Sequence, residues 1–187
     1  MDRYQIVFSG SGGQGVITAS IILAEAAVLH EGLNAVQSQS YGPEARGGAT
    51  RADVIISDRA IRFPKANQPN ILICLTQMAY NQFSPSIRPG GLLLTDSHFV
   101  TQERKVDARQ VELGMYKIVM DKIGKPVVFN ICVLGALLYL VPIVRNESVF
   151  EVLKASAPAE FLDMNKMALE LGQETAEQTN VGEVSLF

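Results

Sequence analysis

Residues 4–15 read YQIVFSGSGGQG, an apolar segment that runs directly into a loop with four glycines. A short apolar run that ends in glycines is typical of a strand buried on both faces. Residues 15–31 follow, with apolar side chains at the spacing of a helix that buries one broad face. A strand, a glycine turn and such a helix, in this order, predict the start of an α/β fold.

The patterns downstream extend this start into a mixed succession of strands and helices. Strands are predicted at residues 34–40, 49–57, 60–63, 70–75, 92–96 and 125–129, with 49–57 and 60–63 forming a hairpin. Helices are predicted at residues 77–83, 111–123, 131–141, 146–155 and 158–171. Asn130 suits the N-cap of one helix, and Gly172 suits the stop of the last.

We therefore predict a three-layer α/β domain with a largely parallel or mixed central sheet. Its first unit is expected to be a Rossmann-like β-α-β unit, and its C-terminal part helical. The whole chain has 187 residues, a length that suits one domain. We predict a single domain over residues 1–172. Residues 173–187 are polar and acidic until the last four, show no packing pattern, and are expected to be a tail that is mobile or lies on a partner.

The composition excludes several classes of protein. Hydrophobic residues make up 48% and charged residues 19% of the chain, as in globular proteins, and the formal net charge is −3. A free nucleic-acid binder usually has a basic excess, so that class is disfavoured. The longest apolar run, residues 131–144, is too short to span a bilayer, and no signal peptide is recognised. We expect a cytoplasmic protein that binds neither nucleic acid nor membrane.

The sequence also predicts that this chain carries no metal centre and no catalytic residue. Its only cysteines are Cys74 and Cys132, each inside an apolar run, where a cysteine usually acts as a small buried hydrophobe. An iron–sulfur cluster normally takes four thiolates. With only two histidines, His30 and His98, a zinc site is disfavoured as well.

The glycine loop is the first candidate binding site. Gly10, Gly12 and Gly15 satisfy the pattern G-x-G-x-x-G between a predicted strand and a predicted helix. Glycines allow backbone N–H groups to approach an anion, and a helix N-terminus adds positive potential. The loop is therefore suited to bind a phosphate group. A tight turn without a ligand remains the alternative.

Two common nucleotide-binding patterns are incomplete here. Binding of NAD requires an acidic residue at the tip of the second strand, but residues 36–41 read VQSQSY and the next acid is Glu44. A P-loop requires Gly-Lys-Ser/Thr after the glycines, and none follows.

Several motifs in order resemble one family of enzymes. Residues 10–16 read GSGGQGV, residues 41–48 read YGPEARGG, and residues 51–57 read RADVIIS. Together they resemble the gamma subunit of 2-oxoacid:ferredoxin oxidoreductases, which act on pyruvate, 2-oxoglutarate or indolepyruvate. The later patterns Asn130-x-x-x-x-Gly135-Ala136 and Asn165-x-x-Ala168-x-x-x-Gly172 fit as well. The resemblance extends over residues 4–172, so the domain is expected to be a gamma-type pyruvate/ketoisovalerate oxidoreductase domain.

The resemblance implies a subunit that serves chemistry located elsewhere. Such an enzyme decarboxylates a 2-oxoacid on thiamine pyrophosphate, sends two electrons through iron–sulfur clusters to ferredoxin, and transfers the acyl group to CoA. This sequence contains no thiamine-binding Gly-Asp-Gly motif and no cluster cysteines. Thiamine pyrophosphate, Mg and the clusters are therefore expected on alpha, beta and ferredoxin-like delta subunits, and the isolated chain is expected to be inactive.

The expected substrate is 2-oxoglutarate, because a free-standing gamma chain without a fused ferredoxin segment fits that arrangement of subunits. Pyruvate, 2-ketoisovalerate and indolepyruvate remain open. Alternatives from other classes are a stand-alone nucleotide-binding regulatory module and an NAD-dependent dehydrogenase.

Two loops are expected to contact a phosphate of CoA or to shape a subunit interface. The candidate residues are Gly10, Gly12, Gly13, Gln14 and Gly15 in the first loop and Tyr41, Glu44, Arg46, Gly47 and Gly48 in the second. Arg46 suits a bidentate contact with a carboxylate or a phosphate. Whether the loops contact CoA or only the partner subunits stays open at this point.

Overall fold

The computed structural model describes residues 3–40, 49–179 and 181–186. Its six strands are β1 (Tyr4–Gly10), β2 (Asn34–Ser40), β3 (Thr50–Ser57), β4 (Ile71–Cys74), β5 (Gly91–Asp96) and β6 (Ala108–Leu113). Its six α-helices are α1 (Val16–His30), α2 (Gln77–Phe83), α3 (Met115–Lys122), α4 (Phe129–Leu140), α5 (Asn146–Ser156) and α6 (Leu162–Glu177).

All six strands form one mixed sheet in the order β2-β3-β1-β4-β5-β6. β4 pairs in parallel with β1 and β5, β6 pairs in parallel with β5, and β3 is antiparallel to both of its neighbours. The central strands β4 and β5 are buried along their whole length, because helices or loops cover both faces of the sheet there. The predicted three-layer α/β domain with a mixed sheet and a helical C-terminal part is confirmed.

The position of β3 corrects two predictions. In a Rossmann unit the first two strands are neighbours, whereas here β3 lies between β1 and β2. The predicted hairpin of residues 49–57 and 60–63 is wrong, because β3 already pairs on one side with β1 and on the other with β2. Residues 60–63 therefore find no free edge on β3 to pair with, and they run as irregular chain.

The two faces of the sheet carry unequal layers. On one face α1, α3, α4, α5 and α6 share the larger hydrophobic core with the sheet side chains Ile6, Phe8, Ile73 and Leu94. On the other face the short helix α2 and its neighbouring loops cover a smaller core that includes Tyr80.

Two segments near the far edge of the sheet were predicted with the wrong secondary structure. The helix expected at residues 111–123 is the strand β6 followed by α3. β6 buries only Val111 and Leu113, so the alternation of apolar and polar residues that marks a strand is weak. The strand expected at residues 125–129 is a single 3₁₀ turn, Pro126–Val128, which leads into α4.

α4 forms the centre of the larger core. Eleven of its 12 residues are buried, which explains its apolar sequence on all sides. It begins at Phe129, so Asn130 lies inside the helix and is not its N-cap, contrary to expectation. Within the described residues, no helix combines the length and the apolar character needed to cross a membrane.

The last helix and the segment after it also differ from expectation. α6 continues through Gly172 to Glu177, because Gly172 faces the backbone of α4 rather than ending the helix. Of residues 173–187, the described part beyond the helix packs on the domain: Val184 is buried, and its N–H donates to the Leu140 carbonyl at 2.7 Å. α6 and this contact therefore extend the packed part of the chain beyond the predicted boundary at residue 172.

One carboxylate ties α1 to α5 across 114 residues of chain. Oε1 of Glu31 accepts hydrogen bonds from Ser148 Oγ at 2.6 Å, from Arg145 N at 2.9 Å and from Arg145 Nε at 3.1 Å. The hydrogen bond from Ser148 and then those from Arg145 lower the pKa of Glu31 from its ordinary value of 4.5. Ionised Glu31 thus stabilises the start of α5.

We expect Glu31→Gln to lower the free energy of unfolding by about 1 kcal/mol at neutral pH. Because folding lowers the pKa of Glu31, its contribution is complete above the ordinary value and is lost as pH falls through the lower pKa of the folded state. The difference from wild type should therefore shrink as the solution is acidified. Urea unfolding across a pH series measures it, with the exposed Glu25→Gln as the matched control.

Candidate functional site

The glycine loop lies at the point where the chain's connections change direction. From β1 the chain crosses through α1 toward β2, whereas from β4 it crosses through α2 on the opposite face toward β5. β1 and β4 are parallel neighbours, so the loops after them diverge and leave a crevice at their carboxyl ends. Such a switch point is where open α/β sheets bind ligands.

The side chain of Gln14 holds the loop in place. Its Nε2 donates to the Leu75 carbonyl, at the end of β4, at 2.9 Å. Its Oε1 accepts from Ser11 N at 2.8 Å, and the backbone N–H of Gln14 donates back to the Ser11 carbonyl at 3.3 Å. Gln14 was predicted to contact a phosphate of CoA or to shape a subunit interface; in the structure its polar atoms connect the two sides of the crevice. The sequence did not predict the hydrogen bond from Gln14 to Leu75, because the two residues are 61 positions apart.

Gly15 joins the loop to α1 and is the N-cap of that helix. Its φ of 71° lies in the left-handed region, which favours glycine. The N–H groups of the first turn of a helix have no partner within the helix, and they point outward from its N-terminus. Within residues 3–40, 49–179 and 181–186 no side chain caps this terminus, so these residues leave the N-terminus of α1 open to an anion.

Asn130 reaches this terminus from α4. Its residue surface is only 6% exposed, and its Nδ2 donates to the Gly15 carbonyl over a long 3.4 Å. The predicted capping role was wrong, and the observed contact places a buried amide at the inner end of the crevice. The family-like pattern Asn130-x-x-x-x-Gly135 offered the only signal in the sequence for it.

The crevice has a volume of about 500 Å³. It is lined by Ser11, Gly12, Gly13, Gly15, Val16, Ile17, Thr18, Thr50, Val127 and Asn130. A Cβ built on Gly12 or Gly13 would meet no atom of the described residues within 4 Å. These residues therefore leave open space in front of the loop backbone, as phosphate binding requires.

The second predicted loop cannot be compared directly with the first. Tyr41, Glu44, Arg46, Gly47 and Gly48 lie outside the described residues. The residues that flank the loop, among them Ser40 and Ala49, line a cavity of about 490 Å³ that is separate from the glycine-loop crevice. Arg51 and Asp53 lie in the same cavity; the sequence singled them out only as part of the motif at residues 51–57.

The sheet also argues against the NAD-dependent dehydrogenase. In a Rossmann fold the ribose-binding acid stands at the end of the strand next to β1. Here β3 separates β2 from β1, which moves the end of β2 about 5 Å farther away. β2 itself ends in Gln39 and Ser40, and neither is acidic.

A buried carboxylate at the end of β5 has a structural role. Asp96 accepts backbone hydrogen bonds from His98 at 2.9 Å and from Tyr116 at 2.8 Å. Burial raises the pKa of Asp96, although both hydrogen bonds act to lower it. The ring of His98 stacks on Tyr116, with centroids 4.7 Å apart. These contacts connect the loop after β5 to the start of α3.

The cysteines have the properties predicted for buried hydrophobes. Cys74 in β4 and Cys132 in α4 are both fully buried and free. Burial raises the pKa of each thiol, that of Cys132 to about 12, so both are protonated near neutral pH and are poor metal ligands. Among the described residues, no three His, Cys, Asp or Glu side chains cluster to hold a metal ion.

Comparison with known proteins identifies one family. The family model described as pyruvate ferredoxin/flavodoxin oxidoreductase matches residues 5–175. A 2-oxoglutarate synthase subunit, KorC, from Methanocaldococcus jannaschii is 42% identical over 94% of this chain and 95% of its own length. The common gamma subunit of the pyruvate and ketoisovalerate oxidoreductases from Thermococcus litoralis is 29% identical over 96% of this chain and 99% of its own length.

A solved structure agrees with the sequence comparison. The gamma subunit of a keto/oxoacid ferredoxin oxidoreductase from Geobacter sulfurreducens superposes with a TM-score of 0.85 at 39% identity. The match covers 94% of this chain and 99% of that one.

Proposed function

This chain belongs to the pyruvate ferredoxin/flavodoxin oxidoreductase family as a gamma-type subunit of a 2-oxoacid:ferredoxin oxidoreductase, and we propose that its enzyme acts on 2-oxoglutarate. The resemblance inferred from the motifs is thereby confirmed. The choice of substrate rests on how much more similar this chain is to one relative than to the other. It is 42% to a 2-oxoglutarate synthase subunit and 29% to a subunit shared by pyruvate and ketoisovalerate enzymes, each along nearly the whole chain.

The proposed reaction converts 2-oxoglutarate, CoA and oxidised ferredoxin to succinyl-CoA, CO₂ and reduced ferredoxin. It needs thiamine pyrophosphate with Mg for the decarboxylation and iron–sulfur clusters for the electrons. The described residues of this chain do not suit the clusters, because its two cysteines are buried singly in different elements and a cluster takes four thiolates. We assign these groups to alpha, beta and ferredoxin-like delta subunits in a cytoplasmic complex, and we expect the chain to be inactive alone.

The proposed part of this chain in the reaction is to hold a phosphate of CoA in the glycine-loop crevice. Three features of the described residues support this role: the open backbone at Gly12 and Gly13, the N-terminus of α1 without a side-chain cap, and the buried amide of Asn130. An anion there would accept hydrogen bonds from N–H groups that the helix leaves unpaired.

The surface of α1 supports the assignment as a subunit. Ile21, Val28 and Leu29 lie at helical spacing, and the exposed fraction of Leu29 reaches 66%. Val127, beside the crevice, is 62% exposed. Exposed large apolar side chains that share one face of a helix often mark a surface that another chain covers. We propose that a partner subunit packs here.

The test is to purify the enzyme from its native host through a tag on this chain and to assay the complex. We expect subunits that bind thiamine pyrophosphate to copurify, and CoA-dependent reduction of ferredoxin or a viologen dye with 2-oxoglutarate. The kcat/KM for 2-oxoglutarate should exceed those for pyruvate, 2-ketoisovalerate and indolepyruvate by at least about 100-fold.

Higher activity with one of the other three acids would move the assignment to that enzyme. If the chain instead elutes as a monomer that binds a nucleotide without any thiamine-dependent partner, the enzyme-subunit proposal fails and the regulatory module replaces it.

A further inference from the structure

We propose that the cavity around Arg51 is a second oxyanion site, which takes a phosphate or carboxylate group of a small molecule. It lies on the α2 face of the sheet, between the ends of β2 and β3 and the C-terminal end of α2. The cavity is lined by Ser38, Gln39, Ser40, Ala49, Arg51, Asp53, Lys65, Asn67, Gln82 and Phe83.

The guanidinium group of Arg51 is fixed before any ligand arrives. Its Nε donates to Asp53 Oδ1 at 2.7 Å, and its Nη2 donates to Asp53 Oδ2 at 3.2 Å and to the Ala66 carbonyl at 2.6 Å. The guanidinium carbon also lies 5.2 Å from the centre of the Phe83 ring, within the range of a cation–π contact. A planar group held on three sides loses little conformational entropy when it binds an anion.

One nitrogen of this group has no acceptor among the residues that the structure describes. Nη1 of Arg51 donates to no acceptor within residues 3–40, 49–179 and 181–186. Arg51 is a residue of the cavity lining, and its side chain is 19% exposed. A guanidinium carries five N–H donors, and the two on Nη1 are the ones that the described part of the chain does not use.

The carboxylate of Asp53 does not cancel the attraction for an anion. Both of its oxygens are occupied, Oδ1 by Arg51 and Oδ2 by Arg51 and by the backbone N–H of Ala66 at 3.1 Å. Lys65 adds a second cation to the same lining. Arg51, Lys65 and Asp53 together give a formal charge of +1, with the negative charge turned toward the protein.

The rest of the lining supplies neutral polar groups. Gln39, Asn67 and Gln82 carry amide N–H groups, and Ser38 and Ser40 carry hydroxyls. The volume of about 490 Å³ lies within the ordinary range for small-molecule sites. It is larger than an inorganic phosphate requires, so the oxyanion is expected to be one group of a larger molecule.

This site is distinct from the glycine-loop crevice. Successive residues of a strand point to opposite faces of a sheet. In β3, Thr50 lines the glycine-loop crevice and Arg51 lines the second cavity. The proposal therefore does not depend on CoA binding at the glycine loop, and either can fail alone.

The experiment titrates the ¹⁵N-labelled full chain with inorganic phosphate and, separately, with succinate, in Tris chloride of low ionic strength. We expect saturable shifts of the amide resonances of Arg51, Ala66 and Asn67. A response to phosphate alone, to succinate alone, or to both supports the site and identifies the group it prefers. No saturable shift of these resonances with either probe would overturn the proposal.

Three variants separate binding from a purely structural role of Arg51. Lys65→Ala removes an exposed cation that makes no hydrogen bond or ion pair with the described residues, and it should weaken binding about fivefold at an unchanged Tm. Arg51→Lys keeps the positive charge but loses the planar guanidinium group that can donate two parallel hydrogen bonds, and it should weaken binding about tenfold. Lys105→Ala, an exposed lysine outside the cavity, should bind as wild type.

If Arg51→Lys does not fold, Lys65→Ala still decides the question. The proposal would be contradicted if Lys65→Ala bound the probe with wild-type affinity, or if Lys105→Ala lost as much affinity as Lys65→Ala. Gly12→Ala, which alters only the glycine-loop crevice, should leave these shifts unchanged. This result distinguishes the failure of one site from the failure of the other.

Discussion

Gly172→Ala is expected to lower the free energy of unfolding by about 3 kcal/mol, at the upper end of the usual cost of overpacking. A Cβ at position 172 would lie 2.0 Å from the Cys132 carbonyl oxygen and 2.8 Å from Ala136 N. Both are backbone atoms of α4, so no side-chain rotation relieves the overlap. The two helices would have to separate by about 1 Å or more to restore normal contact distances.

Gly135 occupies the reciprocal position on α4. A Cβ there would lie 2.0 Å from the Leu169 carbonyl oxygen in α6. Each helix thus turns a glycine toward the backbone of the other, and Gly135→Ala should be as damaging as Gly172→Ala. Because α4 is the centre of the larger core, separation of the pair opens contacts throughout that layer.

Urea unfolding followed by far-UV circular dichroism measures both effects. Gly114→Ala is the matched control, since its new Cβ would have Ser97 Oγ as its nearest neighbour at 3.6 Å, an ordinary contact distance. Unfolding midpoints for Gly135→Ala and Gly172→Ala equal to that of Gly114→Ala would contradict the close crossing of α4 and α6. A loss of about 3 kcal/mol is a large part of the total stability of a domain of this size.

The same glycine shows where sequence reasoning stops. Gly172 was predicted to end a helix, because glycine often does so and because polar residues follow it. Its actual role depends on Cys132 in another helix, 40 residues earlier. Helical periodicity does not indicate which helices pack against each other. The preference of glycine for helix ends therefore predicted a helix end at Gly172, where the structure has a close contact between two helices.

Elements with a strong local pattern were predicted well. β1, α1, β2, α2 and β5 lie within one or two residues of their predicted bounds, because a bare apolar run or a helical period marks each of them. β6 was missed, since a strand at the edge of the sheet needs only Val111 and Leu113 buried. Two apolar residues, two apart, also fit the start of a helix.

The candidate site, too, was predicted only where its residues are close in the sequence. The glycine loop and its place between β1 and α1 were predicted from residues 10–15 alone. The groups that support it come from far along the chain: Leu75 accepts from Gln14, and Asn130 contacts Gly15. The cavity of Arg51 and Asp53 depends on Ala66 and Phe83 in the same way. A single sequence carries no signal for such pairings.

The largest effect in the glycine loop is expected for Gly15→Ala, with a loss of about 2 kcal/mol in the free energy of unfolding. Alanine would have to adopt a φ of about 71°, which is strained for any residue with a Cβ. The same Cβ would lie 2.7 Å from Cγ and Nδ2 of Asn130. Strain and overlap act together at the N-terminus of α1.

A double-mutant cycle separates these two causes. Asn130→Ala removes Cγ and Nδ2 but keeps Cβ, which lies 2.9 Å from the new atom. It should restore about 1 kcal/mol to the Gly15→Ala protein, whereas the residual overlap and the cost of the positive φ should remain. The loss of the long hydrogen bond in Asn130→Ala alone should be small, because 3.4 Å is near the limit of such a bond. Strictly additive effects would show that Asn130 does not pack against Gly15.

Gly12→Ala is the matched variant for function. Its φ lies outside the positive range, and its Cβ would meet no atom of the described residues within 4 Å, so the stability of the variant should equal that of wild type. If the crevice holds a phosphate of CoA, the new methyl group occupies space next to the loop backbone, and the KM for CoA of the assembled enzyme should rise about tenfold with kcat nearly unchanged. An unchanged KM for CoA would remove the crevice from CoA binding and leave the loop with its role in the fold, since Gln14 would still join β1 to β4.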